Sequence, residues 1–297
     1  MARVNLTERI SRGVFFLDGA MGTELFARGV GAGLCNDYLN IEAPDIIIDV
    51  HNAYLNVGSD AVITNTFGGN KYALCRHGYS DKVEEVNLAG ARIGRKSAGE
   101  DKYVLGDIGP CGDFLEPLGA VKADELKAAF SGQAKALAEG GVDGFIIETM
   151  TAIEEVAIAV EAIKSVSDLP IFVSLAYDPA GEEIRTMMGV DPARAVKELV
   201  TSGIAAIGFN CGTLTMNEYV KLTQRYAEVL GQSGVALLAE PNAGKPELID
   251  GKAVYTLSSE DFAEGVANIH QAGAKILGGC CGTSPAHVEA AIKKLKS

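Results

Sequence analysis

Cations are scarce in this 297-residue chain: 26 lysines and arginines stand against 39 aspartates and glutamates, a net charge of −13. Such a surface repels phosphate backbones and anionic headgroups, which argues against nucleic acid and membrane as partners. Long apolar runs are missing too. Nowhere do about 18 apolar residues follow one another, and the opening segment lacks the apolar core of a signal peptide, so a soluble, cytoplasmic protein is expected. Histidine is rare, and His51, His77, His270 and His287 are scattered without metal-ligand spacing. The glycine-rich stretches at 29–33 and 67–70 lack both the lysine of a phosphate loop and the spacing of a dinucleotide fingerprint. Six cysteines in no dense framework do not make a disulfide scaffold and point instead to metal or redox chemistry in a reducing compartment. No linker, low-complexity tract or charge block divides the chain, so residues 1–297 read as one domain.

What is present is a repeated alternation. Eight short apolar runs, at 14–17, 61–64, 103–106, 145–147, 171–175, 206–209, 235–239 and 275–278, are separated by segments of helical spacing such as 124–139, 154–166, 192–201 and 261–271. Alternation of this kind marks βα units on a parallel sheet, and eight units in about 250 to 300 residues is the count of a (β/α)8 TIM barrel. Sites in such barrels are built at the C-terminal ends of the strands. There the sequence places Asp18, Thr64 with Asn65, Asp107, Glu148, Asn210 with Cys211, Glu240 with Asn242, and Cys280 with Cys281. Only the fifth run lacks an obvious candidate; the stretch after it, 177–191, reads as a solvated loop or a lid.

Cys211, Cys280 and Cys281 carry the chemistry. Three thiolates at the ends of two strands make a tripod for Zn²⁺ with one position open, as catalytic zinc sites have. Adjacent cysteines reach one ion only if the backbone turns between them, and Gly278, Gly279 and Gly282 supply that freedom. Three thiolates leave the zinc unit at about −1, which acidifies a bound water less than neutral ligands do and counts against hydrolysis. A coordinated thiolate keeps its nucleophilicity, whereas a free thiol of pKa about 8.5 is mostly protonated at neutral pH. The favoured reaction is attack by a zinc-bound substrate thiolate on an electrophilic carbon. Two plainer readings stand beside it: a closed Zn(Cys)4 site completed by Cys35, Cys75 or Cys111, and a redox pair formed by the adjacent cysteines.

Around these residues the motifs Asp18-Gly19-Ala20-Met21-Gly22-Thr23, Thr64-Asn65-Thr66-Phe67-Gly68, Gly106-Asp107-Ile108-Gly109-Pro110, Ile147-Glu148-Thr149, Gly208-Phe209-Asn210-Cys211, Glu240-Pro241-Asn242-Ala243-Gly244 and Gly278-Gly279-Cys280-Cys281-Gly282-Thr283 run nearly end to end. Their order resembles the homocysteine S-methyltransferase family, most of all the amino-terminal homocysteine module of cobalamin-dependent methionine synthases. The resemblance implies Zn²⁺ on Cys211, Cys280 and Cys281, with Asn242 as a displaceable oxygen ligand and the substrate thiol taking its place. It implies Asp18 and Glu148 on the amino group of homocysteine and the amides around Gly19 and Ala20 on its carboxylate. Thr64, Asn65 and Asp107 are expected to touch the substrate at the same mouth. No folate-binding or corrinoid-binding module is recognised in the 297 residues, so the implied methyl donor is a methylcorrinoid (cobalamin) on a separate corrinoid-binding protein. S-methylmethionine or a betaine-type donor is the alternative. One segment departs from the methionine synthases: Gly212-Thr213-Leu214-Thr215-Met216, after Cys211. It leaves open a different thiol acceptor or reverse demethylation. A reading of another class is a subunit that docks a corrinoid protein while its thiol site stands idle; a structural-zinc barrel with unrelated chemistry is a third.

Overall fold

Each of the eight apolar runs becomes a strand. The computed structural model describes residues 3–249 and 252–296. Its strands are β1 (Phe15–Phe16), β2 (Ala61–Ile63), β3 (Tyr103–Ile108), β4 (Gly144–Met150), β5 (Ile171–Leu175), β6 (Ala206–Asn210), β7 (Ala236–Glu240) and β8 (Ile276–Leu277). All pair in parallel in the order β1-β8-β7-β6-β5-β4-β3-β2, so β1 and β2 are the two ends of one curved sheet. A short seam joins them. The Asp60 amide donates to Phe16 O at 2.7 Å, and the remaining contacts use side chains: Phe16 N–H to Asp60 Oδ2 at 2.9 Å and Ile63 N–H to Asp18 Oδ2 at 3.0 Å. Two carboxylates therefore substitute for ladder acceptors where the strands are too short to pair, and the result is a TIM barrel.

Period-two alternation sorts the strand side chains into two cores. Phe15, Leu105, Ile146, Phe172, Leu238 and Ile276 fill the lumen. The helix Leu6–Ser11 belongs to that inner cluster through Leu6 and Ile10. Their neighbours Phe16, Val104, Ile147, Val173, Ile207 and Leu277 face outward, into the layer shared with the surrounding helices. One principal outer helix follows each strand: Pro44–Asn56, Val83–Ala98, Ala123–Glu139, Ile153–Lys164, Pro192–Leu199, Met216–Leu230, Ser259–Gln271 and Pro285–Lys296. The sixth of these opens with a full capping box, Thr215 with Glu218, which fixes where the chain turns back after the cysteine-bearing end of β6.

Two segments differ from the sequence reading. Residues 177–191 form an antiparallel hairpin, Asp178–Ala180 with Glu183–Arg185, anchored by buried Ile184, Thr186 and Val190 rather than a loop left to solvent. A second hairpin, Glu247–Ile249 with Lys252–Val254, follows β7 and carries no apolar alternation that would announce it. No helix among the described residues is long and apolar enough to cross a membrane.

Candidate metal and substrate site

The C-terminal end of β6 turns sharply. Cys211 takes a left-handed φ of 56°, unusual for a residue with a side chain, and Gly212 follows at 80°. A Cβ on Gly212 would lie 1.9 Å from Tyr177 O, so only glycine lets the turn pass beneath the fifth strand's loop. Across the mouth, the loop after β8 is stapled to its neighbours through Gly279 N–H to Asp18 O, Cys280 N–H to Pro241 O and Ala243 N–H to Cys281 O, at 3.0, 2.9 and 2.9 Å. Gly282, at φ 80°, ends that loop against the Tyr255 side chain.

These two turns bring three sulfurs together. The Sγ atoms of Cys211, Cys280 and Cys281 lie within 4.8 Å of one another, with Cys211 and Cys281 at 3.9 Å. Thiolates on tetrahedral zinc at about 2.3 Å stand about 3.8 Å apart, so the spacing fits the ion with little movement. Among the described residues this is the one group of three or more potential ligands. Cys35 approaches Asp37, Cys75 is exposed, and buried Cys111 gives its S–H to Asp113 O at 3.2 Å, so none of the three completes a four-sulfur site. Hydrogen bonds from Cys211 and Cys280 hold the Cys281 thiol down at about 3, while the same contacts push Cys280 well above the ordinary thiol range. One negative charge is thus easily accommodated, and the others need a cation. Asn242 is the residue expected to act as a displaceable oxygen ligand. It is fully buried, its Nδ2 donates to Gly212 O at 2.7 Å, and its Oδ1 has no partner. A buried amide oxygen without a donor is costly, and a metal ion relieves that cost.

A cavity of about 310 Å³ opens beside the sulfurs. Asp18, Asp37, Asp107, Glu148 and Glu240 line it, and among the described residues no lysine, arginine or histidine does. Burial raises the carboxyls of Asp18, Asp107 and Glu240 well above the usual range and lifts Glu148 to about 7 and Asp37 to about 6. Burial first, and then the neighbouring Glu148 charge, raise Asp107. Asp18 Oδ1, Asp107 Oδ1 and Glu240 Oε2 are each buried and each without a partner. Three such oxygens around one cavity match the three hydrogens of an ammonium group.

The other expected contacts are distributed unevenly. Thr64 lines the cavity, but its hydroxyl accepts from Asp107 N–H at 3.0 Å and bonds Thr66 Oγ1 at 2.6 Å, and Asn65 spends its amide donors on Asn36 O and Asn40 Oδ1. Both tie strand ends together. Ala20 N–H is likewise taken, by Thr283 Oγ1 at 3.1 Å. Met21, Gly22 and Thr23, in the first turn of the helix Met21–Ala27, line the cavity next to Gly19, and their amides have no intrahelical acceptor. Sequence spacing places Glu240 and Asn210 at the mouth without giving them a role; the structure adds an unpaired acid at the first and a hydrogen-bonding hub at the second.

The family model for homocysteine S-methyltransferase matches residues 15–295. The chain belongs to this family. It is 31% identical over 315 residues to a methionine synthase of Mycobacterium tuberculosis, covering 98% of this chain and 26% of that protein. With the methionine synthase of Mycobacterium leprae the identity is 30%, over 96% of this chain and 24% of the relative. The chain therefore spans about a quarter of the length of the curated relatives it matches. Among solved structures it superposes on the metallated homocysteine methyltransferase MmuM from Escherichia coli with a TM-score of 0.79, at 20% identity, over 98% of this chain and 99% of that one. A methyltransferase from Methanosarcina mazei gives 0.60 at 11% identity, over 96% and 94%. These two likenesses bear on the fold, and both agree with the barrel of this family member.

Proposed function

We propose that this barrel is a zinc-dependent thiol S-methyltransferase that methylates homocysteine to methionine, with the methyl group delivered by a methylcorrinoid on a separate protein. The observation that carries the reading is the adjacency of three clustered sulfurs and a cavity rich in unpaired carboxyl oxygens and devoid of cationic side chains. A small amino acid bearing a thiol presents an ammonium to the acids and a sulfur to the cysteines.

Zinc held by Cys211, Cys280 and Cys281 would supply the acidity that ionises a thiol at neutral pH. The protein's own groups do the rest. Asp18, Asp107, Glu148 and Glu240 fix the ammonium; the amides at 21–23 face the carboxylate; Asn242 would hold the oxygen whose place the substrate sulfur takes. Burial at the bottom of the cavity excludes water from the reacting atoms. The sulfur lone pair forms the new S–C bond while the pair of the donor–carbon bond leaves with the donor, and the thiol proton passes to solvent.

A protein-borne donor is favoured by what surrounds the mouth. Of the ten exposed large apolar side chains among the described residues, eight (Phe26, Leu34, Phe67, Phe114, Leu118, Met187, Leu248 and Ile249) lie in segments joining a barrel strand to its outer helix, which a barrel gathers at the site-bearing end. A small donor such as S-methylmethionine or betaine has no use for so wide an apolar rim. Zinc-loaded protein given homocysteine and, in turn, a methylcorrinoid protein, S-methylmethionine and betaine should form methionine with the first donor. Product from the small donors alone overturns the donor assignment, and no product from any overturns the function.

A further inference from the structure

Asn210 has no part in the reading above, yet its side chain is the most heavily engaged at the mouth. It is fully buried at the end of β6. Its orientation is fixed by chemistry: the Thr149 backbone N–H can only donate, and it meets Asn210 Oδ1 at 2.8 Å, where Ser174 Oγ also donates at 2.7 Å. Nδ2 therefore faces the other way, toward Glu148 Oε2 at 2.7 Å, Thr149 Oγ1 at 2.7 Å and Cys280 Sγ at 3.6 Å. Two hydrogens cannot serve three acceptors at once. Sulfur, the weakest acceptor of the three, is the one left short.

The backbone on both sides of this amide is held in left-handed conformations, φ 60° at Thr149 and 56° at Cys211. Such conformations cost a residue with a side chain about 1 kcal/mol or more and persist where the surroundings over-determine them. Asn210 grips Thr149 by both its amide and its hydroxyl and is bonded covalently to Cys211. It thus sets the direction of Glu148, next to Thr149, and of a metal-binding cysteine together.

Resting on the function proposed above, we infer that Asn210 is a positioning residue coupling the amino-acid pocket to the metal site. A ligand ammonium that engages Glu148 frees an Asn210 N–H for the Cys280 sulfur. A hydrogen bond from Asn210 to that sulfur fixes where it points, so filling the amino-acid pocket tightens metal retention even without a substrate sulfur.

The test is zinc retention against a colorimetric chelator, with and without saturating L-2-aminobutyrate, which has the amino-acid backbone of homocysteine and no thiol. In the wild-type protein retention should tighten about 5-fold. Asn210→Asp keeps acceptors for Thr149 and Ser174 and lacks the donors; it should hold zinc about 10-fold more weakly and show no response to the amino acid. Glu148→Ala removes one of the three acceptors and should hold zinc, with no ligand added, as tightly as the wild type does with 2-aminobutyrate. An unresponsive wild type, an equal response in Asn210→Asp, or weakened retention in Glu148→Ala overturns the coupling. If zinc is retained and homocysteine methylated while 2-aminobutyrate has no effect, the coupling fails and the function stands; if the wild type retains no zinc, the function itself fails.

Discussion

Asp18 Oδ2 accepts the Ile63 amide hydrogen at 3.0 Å, so the side chain that closes the barrel between β1 and β2 is also one that presents an unpaired oxygen at the cavity. In the proposed function, architecture and recognition share one carboxylate. Replacing Asp18 by Ala strands a strand amide in a buried setting, at a cost of about 1–3 kcal/mol, and removes an ammonium contact. Thermal unfolding should come several degrees lower, and homocysteine should bind at least about 10-fold more weakly. Asp18→Asn keeps an acceptor for Ile63 and should recover most of the melting temperature but little of the affinity.

The cysteines divide into two sets. Cys211→Ala, Cys280→Ala and Cys281→Ala should each lose zinc and turnover together, read by metal analysis and methionine formation on the same sample. Exposed Cys75 changed to Ser should leave both unchanged. Cys111→Ser should weaken folding through its buried site and spare zinc content. A Cys111 variant that loses metal would return the fourth-sulfur reading.

Acid should unfold the protein partly through His51. This residue is buried in the helix Pro44–Asn56, neither ring nitrogen has a partner, and burial lowers its pKa to about 4. The unfolded chain binds a proton near pH 6.5 while the folded one waits until about 4, so the contribution is present above 6.5 and lost as pH falls through that window. The loss is roughly 3 kcal/mol at most, taking about 1.4 kcal/mol per unit. His51→Leu should flatten the fall in melting temperature between pH 6.5 and 4. Asp37, lifted to about 6 by burial, works in the opposite sense, its contribution fading as pH rises toward 6, so its variants should not flatten that limb.

Charge placed on the apolar rim should separate donor docking from thiol binding. Leu118, 72% exposed, and Phe114, 50% exposed, lie on the loop after β3 and do not line the cavity beside the sulfurs. Phe114→Asp with Leu118→Asp should slow methyl transfer from a methylcorrinoid protein by about 10-fold or more, as loss of apolar anchors does at interfaces. Homocysteine affinity, measured calorimetrically, should be unaffected.

The barrel was legible because its strands are short, β-branched or aromatic, and regularly spaced: the run at 171–175 is the strand Ile171–Leu175. Two cysteine motifs sufficed to anticipate the cluster of three sulfurs because strand ends in this topology converge. What spacing could not reveal is which atoms are already taken. Thr64 and Asn65 stand where substrate contacts belong, and their donors are consumed by Thr66, Asn36 and Asn40, partners between two and 29 positions away. Asn210 has the reverse history: in sequence it is the residue before a cysteine, and only folding brings Glu148 and Cys280 to its amide. The two hairpins were missed because each strand is three residues long, too short for alternation to register.

The zinc edge of an X-ray absorption spectrum, taken on reduced and zinc-reconstituted protein before and after adding homocysteine, tests the central claim most directly. The expected result is three sulfur ligands with one oxygen or nitrogen in the resting protein, and four sulfurs once homocysteine is bound. Protein that takes up no zinc, or that shows four sulfurs before any thiol is added, contradicts it.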